Sequence, residues 1–239
     1  MRITVVVAFS RPQNRERVLE NFRRQRYRNK RLIVVENGAA VGQWWPAEVG
    51  AITTARGPSP ARNAGLAWVR ENGGGPVSFW DDDDYYGPGY LDEVAALLRP
   101  GSVVVKFFRY VRWDDGLHYC LAAEPAYPTC GATLSGFAEE LPDWPEVKHE
   151  DMMYAPLLLA RGLTIRTSGP RFFVYDRRST AKRECETTQR VYLAALGPAL
   201  KLGDVPDAAA DAPGEPQGEW IPAPGWDELL GDVQRMAAR

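Results

Sequence analysis

Residues 3–9, Ile-Thr-Val-Val-Val-Ala-Phe, run almost without polar alternation. A strand with one face in water alternates apolar and polar residues, so this run predicts a strand covered on both faces, as in a parallel sheet between two layers of helices. Ser10 and Gln13 follow at capping-box spacing, Pro12 falls in the first helical turn, and Val18, Leu19 and Phe22 supply a helical apolar stripe. Residues 32–35, Leu-Ile-Val-Val, predict the next strand. Together they read as a right-handed βαβ unit.

The alternation continues. Residues 51–53 predict a strand, and Ser59 and Pro60 the N-cap and first residue of a helix carrying Ala61, Ala64, Ala67 and Trp68, which stops at Asn72-Gly73-Gly74-Gly75. Residues 77–80 predict a strand, and residues 89–99 a helix between Pro88 and Pro100. A β-hairpin is expected over 103–121 around Asp114-Asp115-Gly116, then a Gly-rich loop at 130–136, a helix at 150–161 and a strand at 172–175. The fold class read from this alternation is α/β, a parallel sheet flanked by helices, with a C-terminal extension. With 239 residues, 45% of them hydrophobic and 8 of them Trp, the chain can bury one large core. That domain is expected over 1–196. Pro, Gly, Ala and acids dominate 197–225, a linker or strap, and Leu229, Leu230, Val233 and Met236 predict an amphipathic helix at 226–239.

Charge is distributed unevenly. Residues 11–31 hold nine Arg or Lys against two Glu, whereas 203–232 hold eight acids and no base. Arg23, Arg24, Arg26, Arg28, Lys30 and Arg31 complement a helix C-terminus on one reading; on others they face an acidic membrane surface or nucleic-acid phosphate. Cys120, Cys130 and Cys185 are odd in number and widely spaced, which fits reduced thiols rather than disulfides or a zinc site. No apolar run approaches the ~18 residues of a membrane span, so a cytoplasmic protein, at most attached to a membrane surface, is expected.

Asp81, Asp82, Asp83 and Asp84 directly follow a buried strand, where ligands of open α/β sheets bind. Clustered carboxylates repel one another unless a cation intervenes, and hard oxygen ligands suit Mn2+ or Mg2+. The alternative is a solvated acidic turn capping the next helix. Glu150 and Asp151 open a later helix, either as compensation of its dipole or as a general base toward a hydroxyl nucleophile.

Taken in order, Val-Val-Val-Ala-Phe-Ser-Arg-Pro (5–12), Ile-Val-Val-Glu-Asn-Gly (33–38), Ser-Pro-Ala-Arg-Asn-Ala-Gly-Leu (59–66), Phe-Trp-Asp-Asp-Asp-Asp-Tyr-Tyr-Gly-Pro (79–88) and His-Glu-Asp-Met (149–152) resemble the family 2 glycosyltransferases of the GT-A fold. The resemblance covers about residues 1 to 180. It implies a Rossmann-like, mixed, mostly parallel sheet flanked by helices, a nucleotide-sugar donor, a UDP-sugar foremost, a divalent metal and a single inverting displacement. Phe9, Ser10 and Glu36 match positions that hold the nucleoside base, although the family usually has Asp where Glu36 stands. Arg62 and Asn63 match the pair beside the nucleotide. Asp81 and Asp83 match the DxD motif, one carboxylate toward the ribose and the last on the metal, with Asp82 and Asp84 leaving the register open by one position. Asp151 matches the catalytic base, with Glu150 beside it. Tyr175, Arg177, Arg178 and Ser179 match an aromatic and basic segment that closes over the diphosphate. His149 precedes the acidic pair, and His118 is the one other histidine.

The acceptor is a hydroxyl on a saccharide, lipid or small molecule; DNA with a hydroxymethylated base is the alternative, through the basic stretch. A non-catalytic nucleotide-sugar or polyanion binding module is the rival from another class, and a pure binder needs no base. A nucleotidyltransferase would need a Gly-rich loop with Lys or Arg near the N-terminus, which residues 8–12 lack. Oligomeric state is not legible.

Overall fold

The computed structural model describes residues 1–54, 57–106, 110–113, 116–119, 133–146, 150–168, 173–176 and 218–219. In chain order the elements are β1 (Ile3–Phe9), α1 (Arg15–Arg23), β2 (Lys30–Glu36), β3 (Val49–Thr53), α2 (Pro58–Glu71), β4 (Pro76–Asp81), β5 (Tyr85–Tyr86), α3 (Tyr90–Leu97), β6 (Ser102–Lys106), β7 (Tyr110–Trp113), β8 (Gly116–Tyr119), β9 (Leu134–Phe137), α4 (Glu150–Ala160), β10 (Thr164–Ser168), β11 (Phe173–Asp176) and β12 (Gly218–Glu219). The main sheet has the order β12-β10-β6-β9-β4-β1-β2-β3. β3, β2, β1 and β4 are mutually parallel, as are β6 and β10, while β9 runs antiparallel between β4 and β6. A smaller sheet has the order β5-β11-β7-β8.

β1 is buried on both faces, as its composition predicts, and the strand period of two divides its side chains. Val6 joins Ile33, Val35, Leu66, Val69, Phe79, Leu158 and Ile165 in the layer under α2 and α4. Ile3, Val5, Val7 and Phe9 join Val18, Leu19, Trp80, Tyr90 and Val94 in the layer under α1 and α3. Gly65 brings α2 directly onto the sheet: a Cβ there would stand 2.3 Å from Val6 Cγ1 and 3.2 Å from Val35 Cγ2. Gly73, Gly74 and Gly75 then turn the chain from α2 into β4 with φ of 101°, 64° and 92°, values that side chains disfavour.

Several boundaries differ from the sequence expectation. The Ser10–Gln13 capping box does not form; a 3-10 turn at Pro12–Asn14 precedes α1, and the Ser10 amide is drawn to Asp82 instead. Gly57, not Ser59, caps α2, because the Ser59 hydroxyl donates to the Pro145 carbonyl. The 103–113 stretch splits, β6 joining the main sheet and β7 pairing with β8 in the smaller one. β9 replaces the end of the expected Gly-rich loop, since Gly136 sits inside a strand against Val77. β10 was not expected; it pairs in parallel with β6 and carries β12, two residues of the tail, antiparallel on its other edge. The rest of 197–239, with the expected strap and final helix, lies outside the described residues, as do the three cysteines. Among the described residues no helix is long and apolar enough to cross a membrane.

Candidate active site

Because β1, β2 and β4 are parallel, their carboxyl ends share one edge. The register sets Phe9 opposite Glu36 and Ala8 opposite Asp81, so Ser10, Asn37 and Asp82 meet where the chain leaves the sheet. Asn37 ties the two turns together by donating from Nδ2 to the Phe9 carbonyl at 3.1 Å.

The four aspartates are not equivalent. Asp82 Oδ2 accepts from the backbone amides of Ser10 at 2.8 Å and Arg11 at 2.9 Å, and Oδ1 accepts from Arg11 Nη1 at 2.5 Å. Asp81, Asp83 and Asp84 each turn a carboxylate oxygen to a common locus, all within 4.8 Å of one another. Three carboxylates are the oxygen-only donor set that a hard divalent cation takes, so these residues fit Mn2+ or Mg2+.

Helix α1 holds this turn from behind. Asn21 Nδ2 donates to the Asp84 carbonyl at 2.8 Å and its Oδ1 accepts from the Tyr86 amide at 3.3 Å. Gln25 Nε2 donates to the carbonyls of Tyr86 and Gly87, and Arg17 Nη1 donates to the Asp83 carbonyl. The Tyr86 hydroxyl accepts from the Asp81 amide at 2.8 Å, with its ring stacked on Trp80 at 4.0 Å. None of these supports was read from the sequence. The available signal was Asn14, Asn21 and Gln25, polar residues at helical spacing, all buried.

Two arginines supply positive charge. Arg62, 4% exposed, donates from Nη2 to Asp81 Oδ1 at 2.8 Å and from Nη1 to Glu150 Oε1 at 2.9 Å. Burial opposes its charge, but Asp81 and Glu150 outweigh that and raise its pKa above the ordinary arginine value. Its guanidinium lies 4.7 Å from the centre of the Trp144 ring, which stacks on Tyr154 of α4 at 3.8 Å. Arg11 Nη1 lies 3.0 Å from Asp83 Oδ2 as well as against Asp82. Burial opposes its charge too, and Asp83, Asp82 and then Asp81 raise its pKa.

At the β2 end, Glu36 is buried, and its oxygens accept from the amides of Gly42 at 2.7 Å and Gln43 at 3.0 Å and from Trp45 Nε1 at 2.7 Å. Trp45 packs edge-on against Phe9, ring centres 4.9 Å apart. Arg15 Nε donates to the Trp44 carbonyl, and its guanidinium lies 5.1 Å from the Trp44 ring, which is 73% exposed at the rim.

Asn63 faces the Trp144 backbone, donating to its carbonyl at 3.0 Å and accepting from its amide at 2.6 Å. Asp151 follows Glu150 in the first turn of α4, and Tyr175 lies on β11; their side chains, with Arg177, Arg178, Ser179 and His149, lie outside the described residues. The His118 side chain, on β8, does as well. In the basic stretch, Arg23 pairs with Glu48, Arg24 with Glu20 and Arg26 with Asp92, while Lys30 donates to the Gln25 carbonyl and Arg31 to Thr4 Oγ1.

Residues 4–129 match the sequence family described as Glycosyl transferase family 2. No curated protein matches the chain. Among solved structures, S. aureus TarS 1-349 aligns at TM-score 0.56 and 17% identity, over 74% of this chain and 60% of that one. The same protein in complex with UDP-GlcNAc aligns at 0.57 and 17%, over 80% and 64%. Glucosyl-3-phosphoglycerate synthase from Mycobacterium tuberculosis, in complex with Mn2+, UDP and phosphoglyceric acid, aligns at 0.54 and 15%, over 81% and 76%. At these identities the likeness is one of fold, the GT-A arrangement of a mixed, mostly parallel sheet with helices on both faces. This chain spans about three fifths of TarS 1-349.

Proposed function

Since the chain belongs to glycosyl transferase family 2, we propose that it transfers a sugar, with inversion, from a nucleotide-sugar to an acceptor hydroxyl, using a divalent cation. The observation that carries the reading is the meeting of the Asp81, Asp83 and Asp84 cluster with α4 through Arg62, which bonds Asp81 and Glu150 at once. The donor is a UDP-sugar; the structural relatives crystallised with UDP or UDP-GlcNAc support that choice.

In this reading Asp81, Asp83 and Asp84 hold the cation, Mn2+ or Mg2+, which neutralises charge on the departing diphosphate when bound. Asp82 acts through the turn it clamps, keeping Ser10 and Arg11 against the donor. Phe9 and Ser10 border the base. Glu36 shapes that end through the 42–45 loop, because its oxygens already accept from Gly42, Gln43 and Trp45. Asn63 acts through Trp144. Asp151 takes the proton of the acceptor hydroxyl as that oxygen attacks the anomeric carbon and the bond to the diphosphate breaks. Glu150 is the positioning partner, held by Arg62. Tyr175, Arg178 and Ser179 close over the diphosphate.

A saccharide, lipid-linked or small-molecule acceptor is favoured over DNA. Glu20, Glu48 and Asp92 interleave with the basic stretch and lower the field a phosphate backbone would meet. The test is a screen of nucleotide-sugars for hydrolysis and transfer with Mn2+ or with EDTA. Cation-dependent release of one nucleoside diphosphate is expected, and no turnover of any donor argues for the non-catalytic binding module.

A further inference from the structure

Arg11 places a guanidinium against one oxygen of Asp83, a carboxylate of the acidic cluster. Nη1 is 3.0 Å from Asp83 Oδ2 and 2.5 Å from Asp82 Oδ1. The side chains of Asp82 and Asp83 are 1% and 11% exposed, whereas that of Arg11 is 33% exposed, so Arg11 is the more exposed partner in both pairs. The Arg11 backbone is anchored separately: its amide and that of Ser10 both donate to Asp82 Oδ2. The guanidinium can therefore leave Asp83 without undoing the turn.

A divalent ion binds a carboxylate oxygen at about 2.0 to 2.6 Å. An ion so placed on Asp83 and a guanidinium hydrogen-bonded to that carboxylate repel each other in a partly desolvated site. Arg62, on Asp81, is buried and held by Glu150 as well, so the more exposed Arg11 is the one that yields. We propose that Arg11 is a resident counter-ion of the acidic cluster, exchanged when the divalent cation binds and passed to the diphosphate of the donor. Guanidinium groups match phosphate oxygens in charge and geometry, so the nucleotide gives the displaced group a new partner. Cation and nucleotide binding are thereby coupled: each is weak alone and tightens the other by the same factor. This inference rests on the proposed metal role of Asp81, Asp83 and Asp84.

The experiment measures free Mn2+ by electron paramagnetic resonance during titration of the full chain, with and without UDP, in wild type, Arg11→Gln, Arg11→Lys and Asp83→Asn. Thermal melts check each fold. The expected result is that Arg11→Gln binds Mn2+ alone at least tenfold more tightly than wild type, while the tightening of Mn2+ by UDP, tenfold or more in wild type, falls at least threefold, the remainder being the cation's own attraction for the diphosphate. Arg11→Lys, which keeps the charge but not the fork, falls between the two and carries the test if the Gln variant does not fold. Equal Mn2+ affinity and equal UDP coupling in wild type and both Arg11 variants, with binding lost in Asp83→Asn, overturns the counter-ion role and leaves the metal site standing. No Mn2+ binding in any protein, with or without UDP, removes both.

Discussion

Arg62 and Glu150 are 88 positions apart in sequence, and their side chains meet at 2.9 Å. The same guanidinium bonds Asp81 at 2.8 Å, so one buried cation fixes the acidic turn after β4 relative to the start of α4. Removing one partner of a buried pair strands the others and typically costs about 3 to 5 kcal/mol. Asp81 and Glu150 are partly solvated, so the lower end applies: Arg62→Leu should destabilise by about 3 kcal/mol, and Arg62→Lys, which cannot bridge both carboxylates, by less. Urea unfolding measures this, and an unchanged midpoint for Arg62→Leu contradicts the bridging role.

Asp151 and Glu150 should separate kinetically. Loss of a positioned general base lowers rate by ~10² to 10⁴, so Asp151→Asn should lose most transfer and keep nucleotide affinity. Glu150→Gln should lower rate less and reduce stability, because it weakens the Arg62 contact. Turnover near wild type in Asp151→Asn, with the larger loss in Glu150→Gln, reverses the assignment.

The candidate residues were legible where they follow from the ends of elements. The apolar run of β1, the aspartates after β4 and the acids opening α4 lie at boundaries that local pattern predicts. What each aspartate does was not legible. Asp82 turns to the amides of Ser10 and Arg11, 72 and 71 positions away, while its neighbours turn to one another. Only the packing of β4 beside β1 decides that. Glu36 and Asn63 illustrate the same limit, since their partners lie on a loop and on Trp144, placed by tertiary contacts. β9 and β10 escaped because each is short and takes its strand character from neighbours in the sheet.

The contact of α2 with the sheet should be intolerant of a single methyl group. Gly65→Ala sets a carbon 2.3 Å from Val6 Cγ1, inside the packed interior. Overpacking of this kind costs about 1 to 3 kcal/mol. Val6→Ala in the same chain should recover part of the loss, because it removes the clashing carbon. Unfolding midpoints of the two single variants and the double check this; strictly additive losses contradict the clash.

Alkaline stability should depend on Tyr86 and Tyr90. Burial foremost, then the charges of Asp84 and Asp81, push the Tyr86 phenol well above its ordinary value; burial and Glu93 do so for Tyr90. The unfolded chain releases these protons near pH 10 and the folded chain keeps them, so their contribution is full below pH 10. It declines above that by about 1.4 kcal/mol per pH unit for each tyrosine. Ultraviolet absorbance of phenolate, followed beside circular dichroism, should show both groups titrating only as the chain unfolds. A double Phe variant with the same alkaline slope contradicts this.

The central claim is that the cluster at Asp81, Asp83 and Asp84 joins a divalent cation to a nucleotide-sugar. Titration calorimetry of UDP into the protein, with Mn2+ and then with EDTA, in wild type and Asp83→Asn, tests it most directly. The account predicts at least tenfold tighter UDP binding with Mn2+ in wild type, about 1.4 kcal/mol or more, and loss of that gain in Asp83→Asn. Equal UDP affinity in wild type with Mn2+ and with EDTA contradicts it.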